Sequence, residues 1–357
     1  MSRSSATIGE SRDTEYGRKN VDIQGIAAIV TYRCNLSCSH CFFDGSDSKS
    51  LLSAEILEKA LEDEPSTLSW LHFTGGEPLL DPEHLIGLLR AARKAYHGDI
   101  GIASNGYWGR DPDRARELIR RLKELGVNGI SLSVDIFHQP HVPVEAVGAA
   151  AEAVATAGLN RHSWLVACLR TDGDPENEAA NRKTMAMARR LSEISGLPVA
   201  ETSVRSIGRG AGGGSSRLGV RSNVPGSTEV DAPADIPQGL CRDLACCLGE
   251  NGPFDPRMIW IDPYANVMIC YGLTIGSLHR STLAEILAEY DPLSHPLLRS
   301  LAQHGPKGLY ALAGQLGVSP GSGPFSGECD LCFHSRRALR GHYPEILVPR
   351  ECYPPAG

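Results

Sequence analysis

The chain has 357 residues, enough for one large α/β domain and a smaller one, with 41% hydrophobic and 22% charged residues as in ordinary globular proteins. Its 42 acidic residues outnumber 35 basic ones for a net charge of −7, which argues against a polyanionic partner, so no nucleic acid is expected. The early apolar run Ile26–Val30 is far too short to span a bilayer, and Met1–Asn20 has no apolar core of a signal peptide. No membrane partner and a cytoplasmic location are therefore expected. In that reducing setting eleven cysteines read as metal ligands and thiols, not disulfides.

Residues 1–22 form a polar arm, expected to be flexible. From Ile23 apolar strands alternate with amphipathic helices: strand Ile26–Thr31; a helix capped by Ser53 with Leu57, Ala60 and Leu61 on one face; strand Trp70–Phe73. Asp81-Pro82-Glu83 supplies a cap, a first-turn proline and a first-turn acid for a helix reaching Tyr96. Strand Ile100–Ala103 follows, and Asp111-Pro112-Asp113 repeats the start signal for a helix ending at Gly126. Strand Gly129–Val134, helix Val144–Ala157, strand Trp164–Leu169, helix Ala179–Ser195 and strand Val199–Val204 complete six alternations. Such alternation predicts parallel βαβ units with right-handed crossovers, too few to close an eight-stranded barrel. Residues 208–240, rich in Gly, Ser and Pro, read as a linker. Residues 241–357 form a second region: a hairpin from Met258–Asp262 and Asn266–Cys270, short helices near Thr282–Tyr290 and Leu309–Leu316, and a basic helix behind Cys329-Asp-Leu-Cys332. The basic residues Arg336, Arg337 and Arg340 read as a solvated helix face.

The chemistry concentrates in Cys34-Asn-Leu-Ser-Cys38-Ser-His-Cys41, directly after the first strand. Three thiolates on one short loop can hold three corners of a cubic iron–sulfur cluster and leave one iron without a protein ligand. A structural zinc site needs a fourth protein ligand, and His40, adjacent to Cys41, is badly placed to close the tetrahedron. This Cys-x3-Cys-x2-Cys loop, with Thr74-Gly75-Gly76-Glu77-Pro78 one βα unit later, resembles the cluster loop of the radical S-adenosylmethionine (SAM) superfamily. The resemblance implies a partial (βα)6 barrel over about Ile23–Arg209, a SAM-binding [4Fe–4S] cluster on Cys34, Cys38 and Cys41, and SAM as cofactor. It places His40 near the adenine and gives Gly75, Gly76 and Glu77 the methionine amino group. Ser104, Asn105, Ser133 and Asp135, at or just past strand ends, match family positions that contact ribose and carboxylate; each also suits a turn or cap. Strand five offers no comparable polar group unless Cys168 serves. His138, at the expected barrel mouth, suits a proton shuttle, a substrate contact or simple packing. Ser206-Ile-Gly-Arg209-Gly resembles the Gly-Arg turn after strand six of auxiliary-cluster members, which turns Arg209 toward the SAM carboxylate or the substrate.

The later cysteines Cys241, Cys246, Cys247, Cys270, Cys329, Cys332 and Cys352 resemble the auxiliary-cluster domains called SPASM and twitch. Their number fits a twitch-like domain holding a second, auxiliary [4Fe–4S] cluster on Cys270, Cys329, Cys332 and one of Cys247, Cys246 or Cys241; the same thiolates also suit a zinc knuckle. The glycine expected five residues before the hairpin cysteine is Ala265 here. The fold class is thus α/β, a partial barrel followed by a small cysteine-rich auxiliary-cluster domain. The resemblance implies a radical SAM oxidoreductase or maturase that draws on an external one-electron reductant of flavodoxin or ferredoxin type. Reductive cleavage of SAM would yield a 5′-deoxyadenosyl radical that abstracts hydrogen from a substrate C–H bond. Its expected substrate is a ribosomally made peptide, to be oxidised or cross-linked. A small-molecule (sugar or alcohol) dehydrogenase and a radical peptide epimerase are the alternatives. A non-catalytic iron–sulfur carrier needs neither the Gly-Gly-Glu segment nor six βα units.

Overall fold

The computed structural model describes residues 21, 23–43, 47–62, 67–170, 175–205, 207–212, 256–322, 325 and 327–353. Cys241, Cys246, Cys247 and most of the Gly/Ser/Pro-rich stretch lie outside these residues.

The fold is built outward from β1 (Gly25–Thr31), whose seven residues are all buried. Side chains alternate across a strand, so β1 serves two cores at once. Ile26, Ala28 and Val30 face one hydrophobic core, while Ala27 and Ile29 face the other. A continuous apolar strand is what a two-sided burial requires. On one side of β1 come β2 (Trp70–Gly75), β3 (Asp99–Ser104), β4 (Val127–Ser133), β5 (Trp164–Leu169) and β6 (Val199–Ser203), all parallel. They are joined by α1 (Ala54–Glu62), α2 (Pro82–Ala95), α3 (Pro112–Glu124), α4 (Val144–Thr156) and α5 (Pro175–Ser195). The sheet is open, as a partial barrel is.

Local signals place these helices. Asp81 and Asp111 each accept a hydrogen bond from the amide three residues on, His84 or Arg114, with proline at the first helical position. Ser53 Oγ likewise accepts from Ile56 N, and α1 buries Leu57, Ala60 and Leu61. Each fully buried leucine contributes about 1.5–3 kcal/mol, so burial of the apolar stripe outweighs the cap, worth about 1 kcal/mol, in holding α1 to the sheet.

On the other side of β1 the fold departs from a simple hairpin. β7 (Met258–Ile261) pairs parallel with β1, continuing the same sheet, and β8 (Asn266–Cys270) and β9 (Leu273–Ser277) follow antiparallel. The nine-stranded order is β6-β5-β4-β3-β2-β1-β7-β8-β9. The third strand is legible only from its pairing, because Gly276 interrupts its apolar pattern where Ile286 packs against it. The β7–β8 turn holds Ala265 at φ 62°, the left-handed region that favours glycine. Asp262 Oδ1 accepts from Tyr264 N and Asn266 N and fixes that turn.

Three helices follow: α6 (Leu283–Glu289), which packs Leu283, Ile286 and Leu287 into the first core, and α7 (Pro296–Gln315) and α8 (Glu328–Leu339), which complete the second. Only the second half of α7 was expected; it extends back to Pro296 through a break at Gly305 (φ 66°) ahead of Pro306. α6 opens with a reciprocal cap between Thr282 and Glu285. Among the described residues no helix is long and apolar enough to cross a membrane. The basic face of α8 is not solvated as its composition suggests. Arg336 is 1% exposed, and Arg337 and Arg340 are half-buried, their guanidinium groups 5.8 Å from the rings of Phe333 and Tyr353. The apolar stems and planar heads of arginine pack on aromatic rings where a composition rule sees only charge.

Candidate active site

Parallel strands bring every predicted polar residue of the barrel to one edge of the sheet, the carboxyl ends of β1–β6. The cysteine loop leaves β1 there. Leu36 N donates to Cys34 Sγ at 3.4 Å, and Cys41 N donates to the Cys38 carbonyl at 3.3 Å. Burial pushes the Cys34 and Cys38 thiols up to about 12, partly offset at both by the Arg209 charge. Without a metal these are neutral thiols, and a metal would have to displace their protons.

Gly75 and Gly76 lock this loop to β2. Gly76 N donates to the Thr31 carbonyl at 2.7 Å and Glu77 N to the Arg33 carbonyl at 3.0 Å. A Cβ on Gly76 would meet the Arg33 carbonyl oxygen at 2.1 Å. The closest approach at these glycines is thus that of the cysteine loop's own backbone.

Glu77 is 1% exposed and its oxygens are occupied. Oε1 accepts from Leu79 N at 3.0 Å and Ser104 Oγ at 2.9 Å, and Oε2 accepts from Asn105 N at 2.8 Å. Burial pushes its pKa up to about 7, while the bonds from Asn105, Leu79 and Ser104 pull the other way. Asn105 then reaches the cysteine loop, its Nδ2 donating to Asn35 Oδ1 at 2.9 Å. Ser104 Oγ also accepts from Trp108 Nε1 at 2.9 Å. Glu77, Ser104 and Asn105 therefore form one buried network behind the loop. Replacing Glu77 by Ala strands two amides, each costing about 1–3 kcal/mol. We expect E77A to lower unfolding stability by about 2–6 kcal/mol, and Glu77→Gln, which keeps one acceptor oxygen, by less. Urea unfolding followed by circular dichroism checks this, and an E77A midpoint equal to wild type would deny Glu77 that structural role.

Ser133 is half-buried at the end of β4. Asp135 is committed to its neighbours: it accepts from Phe137 N at 2.9 Å, His138 N at 3.0 Å and His138 Nδ1 at 2.8 Å. Burial works against its ionisation, yet the His138 hydrogen bond and charge hold its carboxyl below the usual range. His138 stands edge-on to His40, ring centroids 5.0 Å apart, and His40 stacks on Phe137 at 4.4 Å. Burial, then the His138 charge, pushes the His40 pKa down to about 4. His40, Asp135 and His138 bring one ligand atom each within 4.8 Å of one another; among the described residues no other three His, Cys, Asp or Glu side chains do. The three loop sulfurs are thus not gathered as around a single zinc ion, whose ligands at about 2.3 Å would stand roughly 4 Å apart. A wider separation suits the corners of a cluster.

Reading the sequence alone missed Arg170 and Gln139. Arg170 directly follows β5, the same strand-end rule that located Ser104 and Ser133, and its guanidinium lies 5.1 Å from the Phe137 ring. Gly208-Arg209-Gly210, which the sequence offers both as the start of a linker and as a Gly-Arg turn after strand six, forms a helical turn (Arg209–Gly212) on the cysteine loop. Arg209 N donates to the Cys41 carbonyl at 2.9 Å, and a Cβ on Gly208 would meet the Phe42 carbonyl oxygen at 2.1 Å. Four groups here are buried without a hydrogen-bond partner among the described residues: His40 Nδ1, the Gln139 amide, Arg170 Nε and Arg209 Nε. Buried polar atoms normally find partners, so their convergence around the cysteine loop fits a polar, anionic ligand.

Residues 28–179 match the family described as the radical SAM superfamily. The chain carries a radical SAM domain. That family uses a [4Fe–4S] cluster and SAM, and the three thiols with the four unsatisfied polar groups fit the pair. The radical SAM domain is 31% identical over 118 residues to "Putative peptide biosynthesis protein YydG" of Bacillus subtilis, covering 32% of this chain and 37% of that protein. It is 30% identical over 128 residues to GTP 3′,8-cyclase of Campylobacter jejuni, covering 34% and 37%. The matches thus span little more than a third of either relative. In fold the chain is similar to Streptococcus suis SuiB bound to precursor peptide SuiA, with a TM-score of 0.52 at 12% identity over 83% of this chain and 74% of that one.

The second cysteine set lies beyond the radical SAM domain. Cys270 ends β8, and Cys329 and Cys332 sit on the first and second turns of α8, all three half-buried. Cys352 is 2% exposed, beneath the turn at Gly272, where a Cβ would meet its own Cβ at 2.9 Å. Tyr32, two residues before Cys34, donates to Asp262 Oδ2 at 2.9 Å and so ties the cysteine loop to the β7–β8 turn.

Proposed function

We propose that the protein is a radical SAM enzyme that removes two hydrogens from a peptide, leaving an oxidised or cross-linked product. The observation that carries this is the set of buried, unsatisfied polar groups around Cys34, Cys38 and Cys41 at the carboxyl edge of the sheet. These cysteines would hold the [4Fe–4S] cluster, which with SAM supplies a 5′-deoxyadenosyl radical able to take hydrogen from an unactivated C–H bond. Arg170 and Arg209 offer charge to a carboxylate, and Gln139 and His40 offer hydrogen-bonding atoms. Gly75 and Gly76 hold the loop in register, while Glu77, Ser104 and Asn105 brace it from behind. A peptide substrate is supported by the name of YydG and by the peptide-bound state of SuiB. Cys270, Cys329 and Cys332, with one of Cys241, Cys246 or Cys247, would hold an auxiliary cluster suited to accept the electron left on the substrate. An external flavodoxin- or ferredoxin-type protein is the proposed reductant of the first cluster.

One observation favours a second reading. Cys168, near the carboxyl end of β5, is 8% exposed and lies within the electrostatic reach of Asp135, Arg170 and Arg205. Burial pushes its thiol up to about 12, so it carries a hydrogen that it can return to a substrate radical. The enzyme would then epimerise, its thiyl radical being reduced by an electron and a proton. Mass spectrometry of product formed in deuterated water separates the two. Oxidation gives a product two hydrogens lighter and one 5′-deoxyadenosine per product. A gain of one deuterium without net oxidation would overturn it in favour of epimerisation.

A further inference from the structure

The buried guanidinium of Arg336 belongs to neither the barrel site nor an exposed basic face. Cys329, Cys332 and Arg336 stand three and four residues apart on α8, which puts them on one face of the helix. Arg336 is 1% exposed, and its Nη1 crosses from α8 to the turn after β8, donating to the Tyr271 carbonyl at 2.7 Å and reaching Tyr353 Oη at 3.4 Å. Tyr271 is the residue after Cys270. Tyr353 Oη in turn donates to the Gly272 carbonyl at 2.5 Å, and the guanidinium carbon lies 5.8 Å from the Tyr353 ring centre. Arg336 thus bridges the two backbone segments that carry Cys270 and Cys332. A side-chain hydrogen bond also joins Arg336 to Cys332 itself.

We propose that Arg336 is a positioning residue for the second cysteine centre: its fixed positive charge beside Cys332 and Cys270 favours the reduced state of a cluster held there. This rests on the auxiliary-cluster reading above. A thiolate-ligated cluster is anionic and gains a further negative charge on reduction, so a neighbouring cation stabilises the reduced form more. Arginine suits the task because it does not deprotonate in proteins and presents a planar fork of donors. Placed so, Arg336 makes the centre a better acceptor for an electron leaving the substrate.

The test uses the full chain, reconstituted anaerobically with iron and sulfide, and follows cluster reduction by electron paramagnetic resonance during potentiometric titration. In Arg336→Gln the ratio of reduced to oxidised second cluster at a fixed potential is expected to fall about tenfold, roughly 59 mV for one electron, while the first cluster is unmoved. Arg336→Lys keeps the charge and should stay within about threefold of wild type. Loss of the second cluster in Arg336→Gln with retention in Arg336→Lys also supports the role of charge. The proposal is overturned if both clusters titrate as in wild type in Arg336→Gln, or if both variants lose the second cluster, which would make Arg336 a packing residue. A wild-type chain with a single iron cluster sinks the auxiliary-cluster reading itself, and that result is visible before any variant is made.

Discussion

A chain in which Cys34, Cys38 and Cys41 are all alanine is expected to form no 5′-deoxyadenosine from SAM under anaerobic, reducing conditions. These thiols sit on the one loop that Gly76, Asn105 and Arg209 hold at the carboxyl edge of the sheet. The expected loss is complete because the bond cleavage belongs to the cofactor pair, and no other described cysteine lies on that loop. After reconstitution the wild type should carry about eight irons, two cubanes, and the triple variant about half of them. Iron analysis alongside product chromatography checks both numbers. Continued 5′-deoxyadenosine production by the triple variant would refute the assignment of this loop. Stoichiometric zinc in wild type, with all iron lost in the variant, would convert the second cysteine set into a zinc knuckle.

Gly76→Ala is expected to be damaging although it removes no ligand. The added methyl would sit 2.1 Å from the Arg33 carbonyl oxygen and 2.7 Å from that of Tyr32. Both are backbone atoms immediately before Cys34, so no side-chain rotation relieves the contact. Overpacking typically costs about 1–3 kcal/mol, and here it falls on the position of the cysteine loop. The ratio of correctly placed to displaced loop should drop roughly 5- to 150-fold, seen as lost charge-transfer absorbance after reconstitution and a fall in 5′-deoxyadenosine formation. Gly87→Ala is the control: it lies in α2 with nothing within 4 Å of an added Cβ. That change should be neutral or stabilising by up to about 1 kcal/mol, since alanine favours helix. Normal loading and turnover in Gly76→Ala would mean that the loop is not clamped against β2 as described.

The sequence by itself determined what is local in physical origin. Asp-Pro-Glu and Asp-Pro-Asp start helices because the cap and the fixed proline φ act within one turn, and both helices begin where those signals stand. The six strand–helix alternations and the Cys34-x3-Cys38-x2-Cys41 loop were legible for the same reason. Period and spacing are carried by neighbours in the chain. Only the tertiary structure decided which distant groups meet. It joined β7 to β1, since a strand's partner depends on two faces being buried together, which no window of sequence contains. It also gave Asp135 to His138 rather than leaving it open, and brought Arg170 to the mouth from just past a strand that looked apolar. Arg336 is the sharpest case. Its residue type predicts water, yet the backbone of Tyr271 and the hydroxyl of Tyr353 receive its donors inside the second core, because a charge can be buried once the packed chain supplies its hydrogen bonds.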